Sequence, residues 1–405
     1  MISLPDVDAS AAWRALRRDG LCDETVLMQR LLGGLPDDWR PAREMGESLL
    51  AGMQGAAPGL RESLLQLFPL TSAEGRVLMQ LAEAVLRVPD DATLDCLLHD
   101  LLLQGDWRAA AQRARQWQAS LASRLLEFSQ WLERVGDAGR LGDWMQQVGL
   151  ASIRNGARKA VALLSADFVI GEDIDQALLV SDNASQYRYS FDMLGEAALT
   201  YPDAAAYFDA YRRAIEAVAL SRRAGVQDKS VSIKLSALHP RYEWRNLAQL
   251  RRELAPLLTE LVLLARRHEV PLTLDAEEAE RLEVSLLLFE QAFALPQLAD
   301  WPWLGLAVQA YSRRAPAVID WLAQLARAGG KRIPLRLVKG AYWDGEIKRA
   351  QQGGWASYPV LTRQSRTELA YLACAARLLR EHECFEPQFA THNAWTAASV
   401  LQLAR

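Results

Sequence analysis

The chain has 405 residues, of which 50% are hydrophobic and 24% charged, a composition typical of a globular protein with one large domain and a smaller one. Its formal net charge is −4 at pH 7, so bulk electrostatics do not favour a nucleic-acid partner, and we expect none. The four cysteines form no CxxC pair, which argues against a disulfide framework and a zinc site and predicts a reducing compartment.

The start of the chain and the length of its apolar runs indicate where in the cell the protein is located. The first residues, MISLPDVDASAAWR, lack the basic start and apolar core of a signal peptide. No uninterrupted apolar run is long enough to span a bilayer. We therefore expect a cytoplasmic protein and leave open a peripheral contact with the inner membrane. A homo-oligomer is left open in the same way.

The N-terminal part reads as helical. A helix is predicted to break at Gly33 and Gly34. Asp91 is predicted to cap a later helix, and another helix with the same spacing follows it. The apolar positions are Leu94, Leu97, Leu98 and Leu101 in the first of these two helices and Leu121, Leu125, Phe128 and Leu132 in the second. We predict an N-terminal helical arm over residues 1–45 and a helical domain over residues 46–160.

From about residue 165, short apolar runs alternate with amphipathic helical stretches. The candidate strands are FVIG (168–171), YRYSFDM (187–193), VSIKLSA (231–237), LTLDA (272–276), LGLAVQA (304–310), PLRLVKG (334–340) and QFATHN (388–393). The helical faces between them comprise Phe208, Tyr211, Ile215 and Val218; Leu247, Leu250, Leu254, Leu257 and Leu261; and Leu282, Leu286, Phe289 and Phe293. This alternation predicts a parallel sheet covered by helices, with strands that are near-continuously apolar.

The number of strands decides between two architectures. A (β/α)8 barrel has eight strand–helix units, whereas this chain offers seven candidate strands and ends in AWTAASVLQLAR, which reads as a helix. The barrel interpretation therefore takes residues 161–405 as an α/β fold, a distorted (β/α)8 barrel lacking its last β/α unit, preceded by an all-helical N-terminal region. An open doubly wound sheet of seven strands stays as the alternative, because spacing alone does not reject it.

Nearly every candidate strand carries polar side chains toward its carboxyl end. These residues are Asp192, Lys234, Asp275, Gln309, Arg336, Lys339, Thr391, His392 and Asn393. In parallel barrels this end of the strands forms the active site, and polar groups within apolar strands need partners. Two structural alternatives stay open. Lys234 can pair with Asp275 or Asp192 in a satisfied core network, and His392 can be a plain turn histidine.

The stretch IPLRLVKGAYWD combines features that suit a flat, negatively charged ligand. Arg336 and Lys339 supply positive charge, and Gly340 lets the ligand approach the backbone closely. Tyr342 and Trp343 supply rings for stacking. Trp343 can also be an ordinary core or interface tryptophan, since the chain has 13 of them.

A second segment, YPVLTRQ, extends this interpretation. It places Thr362 and Arg363 near a predicted helix start, where backbone amides favour phosphate. Cations, a phosphate site and aromatic rings together suit a dinucleotide or a flavin. No GxGxxG follows a strand, which disfavours a Rossmann site, and no HExxH or similar spacing indicates a metal. No GxSxG elbow is present either.

Several of these segments together resemble a known family. YRYSFDMLGEAAL, VSIKLSALHPRY, LTLDAEEAERLE, LRLVKGAYWDGEIKRAQ, YPVLTR and QFATHNA are similar, in this order, to the proline dehydrogenase domain of the bacterial bifunctional proline utilisation A flavoenzymes. The resemblance covers roughly residues 165–405, and LMQLAEAVLRVPDDATLD resembles the helical domain that precedes the barrel. The first 40 or so residues do not resemble the ribbon-helix-helix DNA-binding segment that some members carry.

The resemblance implies FAD as the cofactor and oxidation of L-proline to pyrroline-5-carboxylate, the first step of proline catabolism to glutamate, with electrons passed to a quinone. It implies that the cofactor is bound by Asp275, Ala276, Gln309, Arg336, Val338, Lys339, Gly340, Ala341, Trp343, Thr362, Arg363, Thr391, His392 and Asn393. It implies a substrate site formed by Asp192, Lys234 and Tyr342. Lys234, Arg336 and Tyr342 would be the catalytic residues.

Family members continue into an eighth strand and a last helix with an Arg-Arg pair, which clamps the proline carboxylate, and then into an aldehyde dehydrogenase domain. We therefore expect this chain to be a fragment of such a parent that binds proline poorly. Two rival functions stay open. One is a Schiff-base barrel aldolase that uses Lys234 or Lys339, and the other is an inactive fragment whose helical part serves as an assembly module.

Overall fold

A computed structural model of the chain describes residues 13–14, 16, 22–54, 72, 76, 80, 88, 90–102, 155, 169–171, 173–184, 186–193, 197–222 and 228–405. The residues group into two compact units. Met1–Met53 and Asp173–Arg405 form one unit, and Gln54–Glu172 form the other. The predicted domain limits at residues 45 and 160 stay a prediction. The predicted helix around residues 121–132 lies outside the described residues.

From α4 onward the described helices and strands alternate, except that α10 follows α9 with no described strand between them. The helices are α1 (Glu24–Leu32), α2 (Arg40–Gln54), α3 (Asp91–Leu102), α4 (Ile174–Asn183), α5 (Tyr201–Ser221), α6 (Leu247–Arg267), α7 (Leu282–Phe293), α8 (Ala315–Gly329), α9 (Trp343–Gln352), α10 (Gln364–Arg380) and α11 (Ala394–Leu403). The strands are β1 (Tyr189–Asp192), β2 (Lys229–Ile233), β3 (Leu272–Leu274), β4 (Leu304–Gln309), β5 (Ile333–Val338) and β6 (Phe385–Phe389). Short 3-10 helices lie at Leu235–Ala237, Trp244–Asn246, Ala279–Arg281 and Pro296–Leu298.

In the described part of the chain, six strands form one sheet in the order β1-β2-β3-β4-β5-β6. Every neighbouring pair is parallel. A doubly wound sheet reverses its strand order at a switch point, whereas the strands of a (β/α) barrel follow the order of the chain. The observed order therefore confirms the predicted barrel-type α/β fold and excludes the doubly wound alternative.

One predicted strand, FVIG, is wrong where it can be checked. Residues 169–171 are not in a strand, and Phe168 lies outside the described residues. A helix begins almost at once, because the Asp173 side chain accepts a hydrogen bond of 2.9 Å from the Gln176 amide and caps α4. A short apolar run that ends in a glycine next to a helix cap has no length left for strand pairing.

The side chains of the strands alternate between two environments. The positions that face the helices are large and apolar: Val231, Ile233, Leu272, Leu274, Leu304, Leu306, Val308, Ile333, Leu335 and Leu337, all buried. The alternate positions are polar or small: Ser190, Asp192, Ser232, Lys234, Thr273, Asp275, Gly305, Ala307, Gln309 and Arg336. The strands are thus less continuously apolar than predicted, because one face lines a polar chamber instead of the packed apolar layers common in barrels.

The sheet is strongly curled. The Arg336 guanidinium on β5 donates from Nη2 to Ser190 Oγ on β1 at 2.6 Å. In a flat sheet these strands would lie four spacings apart, about 19 Å, which is far beyond the reach of an arginine. The contact therefore requires β1 and β5 to face each other across the concave side, as they do in a barrel.

One helix that covers the sheet, α5, packs through most of the face that the sequence predicts. In α5, Thr200 and Asp203 form a capping box, and Tyr211, Ile215 and Val218 on its predicted face are fully buried. The break at Gly33 is confirmed by the end of α1 at Leu32.

The cap of α3 differs from the prediction by one residue. Asp90 Oδ1, rather than Asp91, accepts a hydrogen bond of 2.9 Å from the Thr93 amide. Asp90 and Asp91 are both suitable capping residues. Asp90 lies three residues before Thr93, which is the spacing at which a side chain caps a helix. No described helix is both long and apolar enough to cross a membrane.

The helices α1 and α2 pack onto the barrel within the same compact unit. The apolar face of α1 contacts the start of α10, and the residues in this cluster are Leu27, Met28, Leu31, Leu361, Ala370 and Ala373. The side chain of Gln402 on α11 accepts from the Ala42 amide at 2.8 Å and donates to the Asp38 carbonyl at 2.7 Å, which fixes the start of α2.

Gly305→Ala is expected to destabilise the sheet, because a Cβ there would lie 2.5 Å from the Pro334 carbonyl oxygen on β5. We expect a loss of about 1–3 kcal/mol, as for other overpacked sites. Gly52→Ala in α2 is the matched control, because nothing lies within 4 Å of the added methyl group; alanine there should stabilise by about 1 kcal/mol. Thermal unfolding of both variants is the measurement, and equal midpoints would contradict the close packing of β4 on β5.

Candidate active site

The predicted site residues lie at or just beyond the carboxyl ends of the strands. Those that end or follow a strand are Asp192, Lys234, Asp275, Ala276, Gln309, Arg336, Val338, Thr391, His392 and Asn393. Lys339, Gly340 and Ala341 join β5 to α9, which begins at Tyr342 and Trp343. Thr362 and Arg363 immediately precede α10. The structure thus places the whole set at one edge of the sheet.

The Lys234 ammonium group lies between two carboxylates. Its Nζ donates to Asp192 Oδ1 and Oδ2 at 2.7 and 2.8 Å and to Asp275 Oδ2 at 3.2 Å. Lys234 is only 9% exposed, and its backbone amide donates to the buried Tyr211 hydroxyl at 3.1 Å. The sequence left open whether Lys234 pairs with Asp192 or Asp275, and in the structure it pairs with both.

These contacts hold Lys234 in its charged form. Burial disfavours the charge, but the hydrogen bond to Asp192 and the charge of Asp275 outweigh it and raise the pKa of Lys234. Burial and the charge of Asp192 raise the pKa of Asp275, against the opposing charges of Lys234 and Arg336. A Schiff-base lysine must be neutral to attack a carbonyl, so its pKa has to be lowered. Lys234 has the opposite shift, which disfavours the aldolase alternative for this residue.

Arg336 crosses the chamber and is held by several partners. Its Nη1 donates to Ser232 Oγ at 2.9 Å and approaches Asp275 Oδ1 at 3.5 Å. Its Nη2 donates to Ser190, as described above, and its Nε donates to Gln388 Oε1 at 3.3 Å. The guanidinium plane is therefore fixed from both ends of the curled sheet.

The sequence analysis missed the two serines and Gln388. Ser190 lies two residues before Asp192, and Ser232 lies two residues before Lys234, so each shares a strand face with a predicted site residue. This period of two was a usable signal for the serines. Gln388 is found only from the pairing of β5 with β6, which sets it opposite Arg336.

The Gln309 side chain is fixed by two backbone groups. Its Nε2 donates to the Glu277 carbonyl at 2.7 Å, and its Oε1 accepts from the Ala341 amide at 3.1 Å. The Glu277 carboxylate accepts from the Ser236 amide at 3.1 Å and from Arg281 at 2.8 Å. Burial raises the pKa of Glu277, although its hydrogen bonds oppose the shift. Glu277, which the sequence analysis also missed, thus supports the orientation of Gln309.

Gly340 lies in a backbone conformation that suits glycine, while the close approach of a ligand predicted for it stays a prediction. Its φ of 140° is a backbone conformation that other residues rarely adopt. A Cβ at Gly340 would lie 2.5 Å from ring atoms of Tyr311. The glycine is therefore required by the turn after β5 and by the packing of that turn on Tyr311.

Lys339 forms a network with α10 and α11. Its Nζ is 2.6 Å from Glu368 Oε1 and 3.3 Å from Thr396 Oγ1. Thr396 in turn donates to Asn393 Oδ1, and the Asn393 side chain caps α11. Lys339 and Glu368 thus form an ion pair that links the end of β5 to α10. Glu368 is a further residue that the sequence analysis missed.

Trp343 and Thr362 meet at the loop before α10. The indole Nε1 of Trp343 donates to the Leu361 carbonyl at 2.9 Å. The tryptophan is 40% exposed, so it is not a core residue. Both donors of Thr362 are engaged by Glu24, since its amide and hydroxyl lie 3.0 and 2.9 Å from the carboxylate oxygens. Thr362 therefore presents no free donor to a phosphate, which the sequence did not predict.

His392 is the predicted residue with the least support from contacts. Its side chain is exposed, and no hydrogen bond or ion pair to it occurs among the residues that the structure describes. The Thr391 hydroxyl accepts from the Asn393 amide at 3.0 Å across this turn. The cofactor role of His392 stays a prediction, with a plain turn histidine as its alternative.

Comparison with known proteins identifies the family to which this chain is similar. Residues 179–405 match the family described as proline dehydrogenase. The chain belongs to the proline dehydrogenase family. The resemblance seen in the sequence is therefore confirmed.

Relatives extend this assignment along the chain. The bifunctional protein PutA of Salmonella typhimurium is 42% identical over 407 residues, covering 98% of this chain and 31% of the relative. The Escherichia coli PutA is 44% identical, covering 85% of this chain and 27% of the relative. A Bradyrhizobium japonicum PutA structure superposes with a TM-score of 0.69 at 39% identity, covering 95% of this chain and 39% of that one. The chain thus spans about a third of the length of its curated PutA relatives.

One expectation is corrected by these comparisons. Residues 60–168 match the family described as the DNA-binding domain of proline dehydrogenase, so the expectation of no nucleic-acid partner was wrong. It rested on a net charge of −4 for the whole chain. A whole-chain charge averages over all segments and does not report on the surface of one of them.

Lys234→Met is expected to lower the free energy of unfolding by about 3 kcal/mol, because it leaves Asp192 and Asp275 without their buried cation. Adding Asp275→Asn to this variant should cost less than the same change in the native chain, since one uncompensated carboxylate is removed. Denaturant unfolding of the single and double variants measures the coupling. The exposed Lys348→Met is the control, and additive effects would contradict the network.

Proposed function

We propose that this chain is the proline dehydrogenase part of a longer flavoenzyme and oxidises L-proline to pyrroline-5-carboxylate with FAD. The observation that carries the proposal is the convergence of Lys234, Asp275, Gln309 and Arg336 at one edge of a parallel sheet in a chain of this family. This oxidation begins the catabolism of proline to glutamate. The activity is proposed for the whole protein of which these residues form part.

The groups around the end of β5 fit a flavin chemically. Arg336 provides a fixed cation, and Gln309 provides a side-chain amide held in one orientation. The backbone at Gly340 and Ala341 is exposed and carries no bulky side chain. Trp343 offers a partly exposed ring for stacking on the adenine. Cations, amides and a ring platform are the recognition groups that an isoalloxazine and an adenosine need.

We assign a role to each residue from its position in the motifs that resemble the family. Arg336 would lie beside the reactive nitrogen of the ring, and Gln309 would bond the ring edge. Asp275 and Ala276 would line the flavin pocket. The residues proposed to line the rest of the cofactor are Val338, Lys339, Gly340, Ala341, Trp343, Thr362, Arg363, Thr391, His392 and Asn393. Because both Thr362 donors are engaged by Glu24, its part in this set is to shape the loop.

The substrate side of the site lies around Lys234. When bound, the flavin would supply the redox chemistry by accepting a hydride from the carbon next to the proline nitrogen. In this proposal Lys234 orients proline with the support of Asp192, and Tyr342 packs against the proline ring. Hydride departure requires an uncharged amine. Asp192 and Asp275 balance the charge of Lys234, so we assign Lys234 the orientation of proline rather than the repulsion of a protonated amine.

The electron acceptor, the fate of the product and the location of the protein belong to the same proposal. Electrons would pass to a quinone, and an aldehyde dehydrogenase part would act on the product in the full-length parent. A cytoplasmic protein that contacts the inner membrane peripherally suits a quinone acceptor. Of the two rival functions, the aldolase is disfavoured for Lys234 by its ion pairs, and an inactive assembly module does not account for a converged polar chamber.

The purified chain should be yellow and should bind FAD in a one-to-one ratio. Anaerobic addition of L-proline should bleach the flavin absorption, because the hydride moves to the bound cofactor. D-proline and L-alanine are the matched controls. A colourless protein that acquires no visible spectrum on addition of FAD, or bleaching by D-proline or L-alanine equal to that by L-proline, would contradict the proposal.

Arg336→Met is expected to lower the midpoint potential of the bound flavin, because it removes a fixed positive charge beside the ring. Spectroelectrochemistry measures the potential directly. Arg349→Met is the control, since Arg349 is partly exposed and pairs with Glu280. An unchanged potential in Arg336→Met would place the guanidinium away from the cofactor.

A further inference from the structure

A buried carboxylate from the N-terminal arm lies beneath the proposed cofactor site. Glu24 is the first residue of α1 and is only 6% exposed. It lies outside residues 179–405, which match the proline dehydrogenase family. Asp23 caps the helix by accepting from the Thr25 and Val26 amides at 2.8 and 3.2 Å, which sets where Glu24 enters the barrel unit.

The Glu24 carboxylate is bound by groups from two other segments. Besides the amide and hydroxyl of Thr362, Arg366 on α10 lies 3.0 Å from Oε1. Arg313, between β4 and α8, lies 3.7 Å from Oε2 and has a buried side chain. These are the charged groups that face Glu24 from α10 and from the loop after β4. Burial alone would raise the pKa of Glu24, but the bonds from Arg366 and Thr362 outweigh it and lower the pKa.

The loop that Glu24 contacts, residues 357–363, is also attached to the segment after β4, where Ser312 and Val360 form an antiparallel bridge and the Arg313 amide donates to the Pro359 carbonyl at 3.3 Å. The Leu361 amide donates to the Tyr311 carbonyl at 2.7 Å, and its carbonyl accepts from Trp343. Arg313 donates to Ser357 Oγ at 2.5 Å. The loop therefore connects Leu361, whose carbonyl binds the indole of Trp343, to Arg363. Glu24 fixes the loop at Thr362, which lies between Leu361 and Arg363.

We propose that α1 is a strap on the cofactor site and that Glu24 is a positioning residue, which holds the loop of residues 357–363 in the conformation that receives the adenosine half of FAD. The inference rests on the proposed function for the identity of the ligand. The apolar contacts of α1 with α10 bring the strap into place, and the bonds to Thr362 transmit its position to the loop. Glu24 itself does not touch the cofactor.

The experiment compares Glu24→Ala with Glu24→Gln and the control Glu47→Ala, since Glu47 is exposed and pairs with Arg43 on the same helix. Hydrogen exchange of residues 357–363 in the cofactor-free chain measures the position of the loop without any need for activity. In Glu24→Ala we expect exchange about tenfold faster, the size expected for losing a charge-assisted hydrogen bond. Glu24→Gln should recover part of the protection, and Glu47→Ala should match the native chain.

FAD titration, followed by quenching of flavin fluorescence, is the second readout. Glu24→Ala should bind FAD about tenfold more weakly than the native chain. Native exchange in the loop of Glu24→Ala would overturn the proposal. Tighter binding of FAD by that variant would also overturn it, because Glu24 would then be a competing anion. If the native chain binds no FAD, the proposed function fails, while the exchange data still test the strap.

The contribution of Glu24 should depend on pH in a defined direction. Its folded-state pKa lies below the ordinary value of 4.5, so its stabilising effect is complete above that value and is lost as the pH falls through the folded-state pKa. The difference in unfolding midpoint between the native chain and Glu24→Gln should therefore be largest near neutral pH. A difference that stays constant on acidification would contradict an ionised, paired Glu24.

Discussion

The fold depends on two cations placed inside a curled sheet. Lys234 and Arg336 point to the concave side, where a bare charge would cost several kcal/mol of desolvation. Asp192 and Asp275 balance them, and hydroxyl groups from β1 and β2 satisfy the remaining donors. This requirement explains why the concave positions are polar while the opposite face is aliphatic. The same ion pairs that keep the fold intact give the chamber its chemistry.

Hydrogen bonds and packing contacts around these charges hold the backbone in place. Gln309 is fixed by two peptide groups, and Gly340 allows the turn after β5 to pack on an aromatic ring. Tyr311 also accepts from the loop before α10, which Glu24 holds from the other side. Precise placement of a cofactor needs such supporting contacts, because free side chains lose the geometry that orients a reaction. The arm and the barrel therefore contribute to one site.

The sequence predicts much of this arrangement, because polar residues at the ends of apolar runs are costly and conspicuous. Lys234, Asp275 and Arg336 were found in this way, and the strand–helix alternation predicted the fold class. FVIG failed because a short apolar run does not specify a strand by itself. The nucleic-acid expectation failed because net charge is an average. Glu24 was missed because it pairs with a residue 338 positions away, and no local pattern reveals such a partner.

The bond between Arg336 and Ser190 joins residues 146 positions apart, and this separation constrains how the molecule assembles. Closing so long a segment costs chain entropy that only the intervening strand–helix units can offset. During synthesis the contacts of Arg336 with Ser190 on β1 and with Asp275 after β3 therefore form only after β5 has left the ribosome. The ion pairs of Lys234 with Asp192 and Asp275 need no more than the segments from β1 to the end of β3, so they can form earlier.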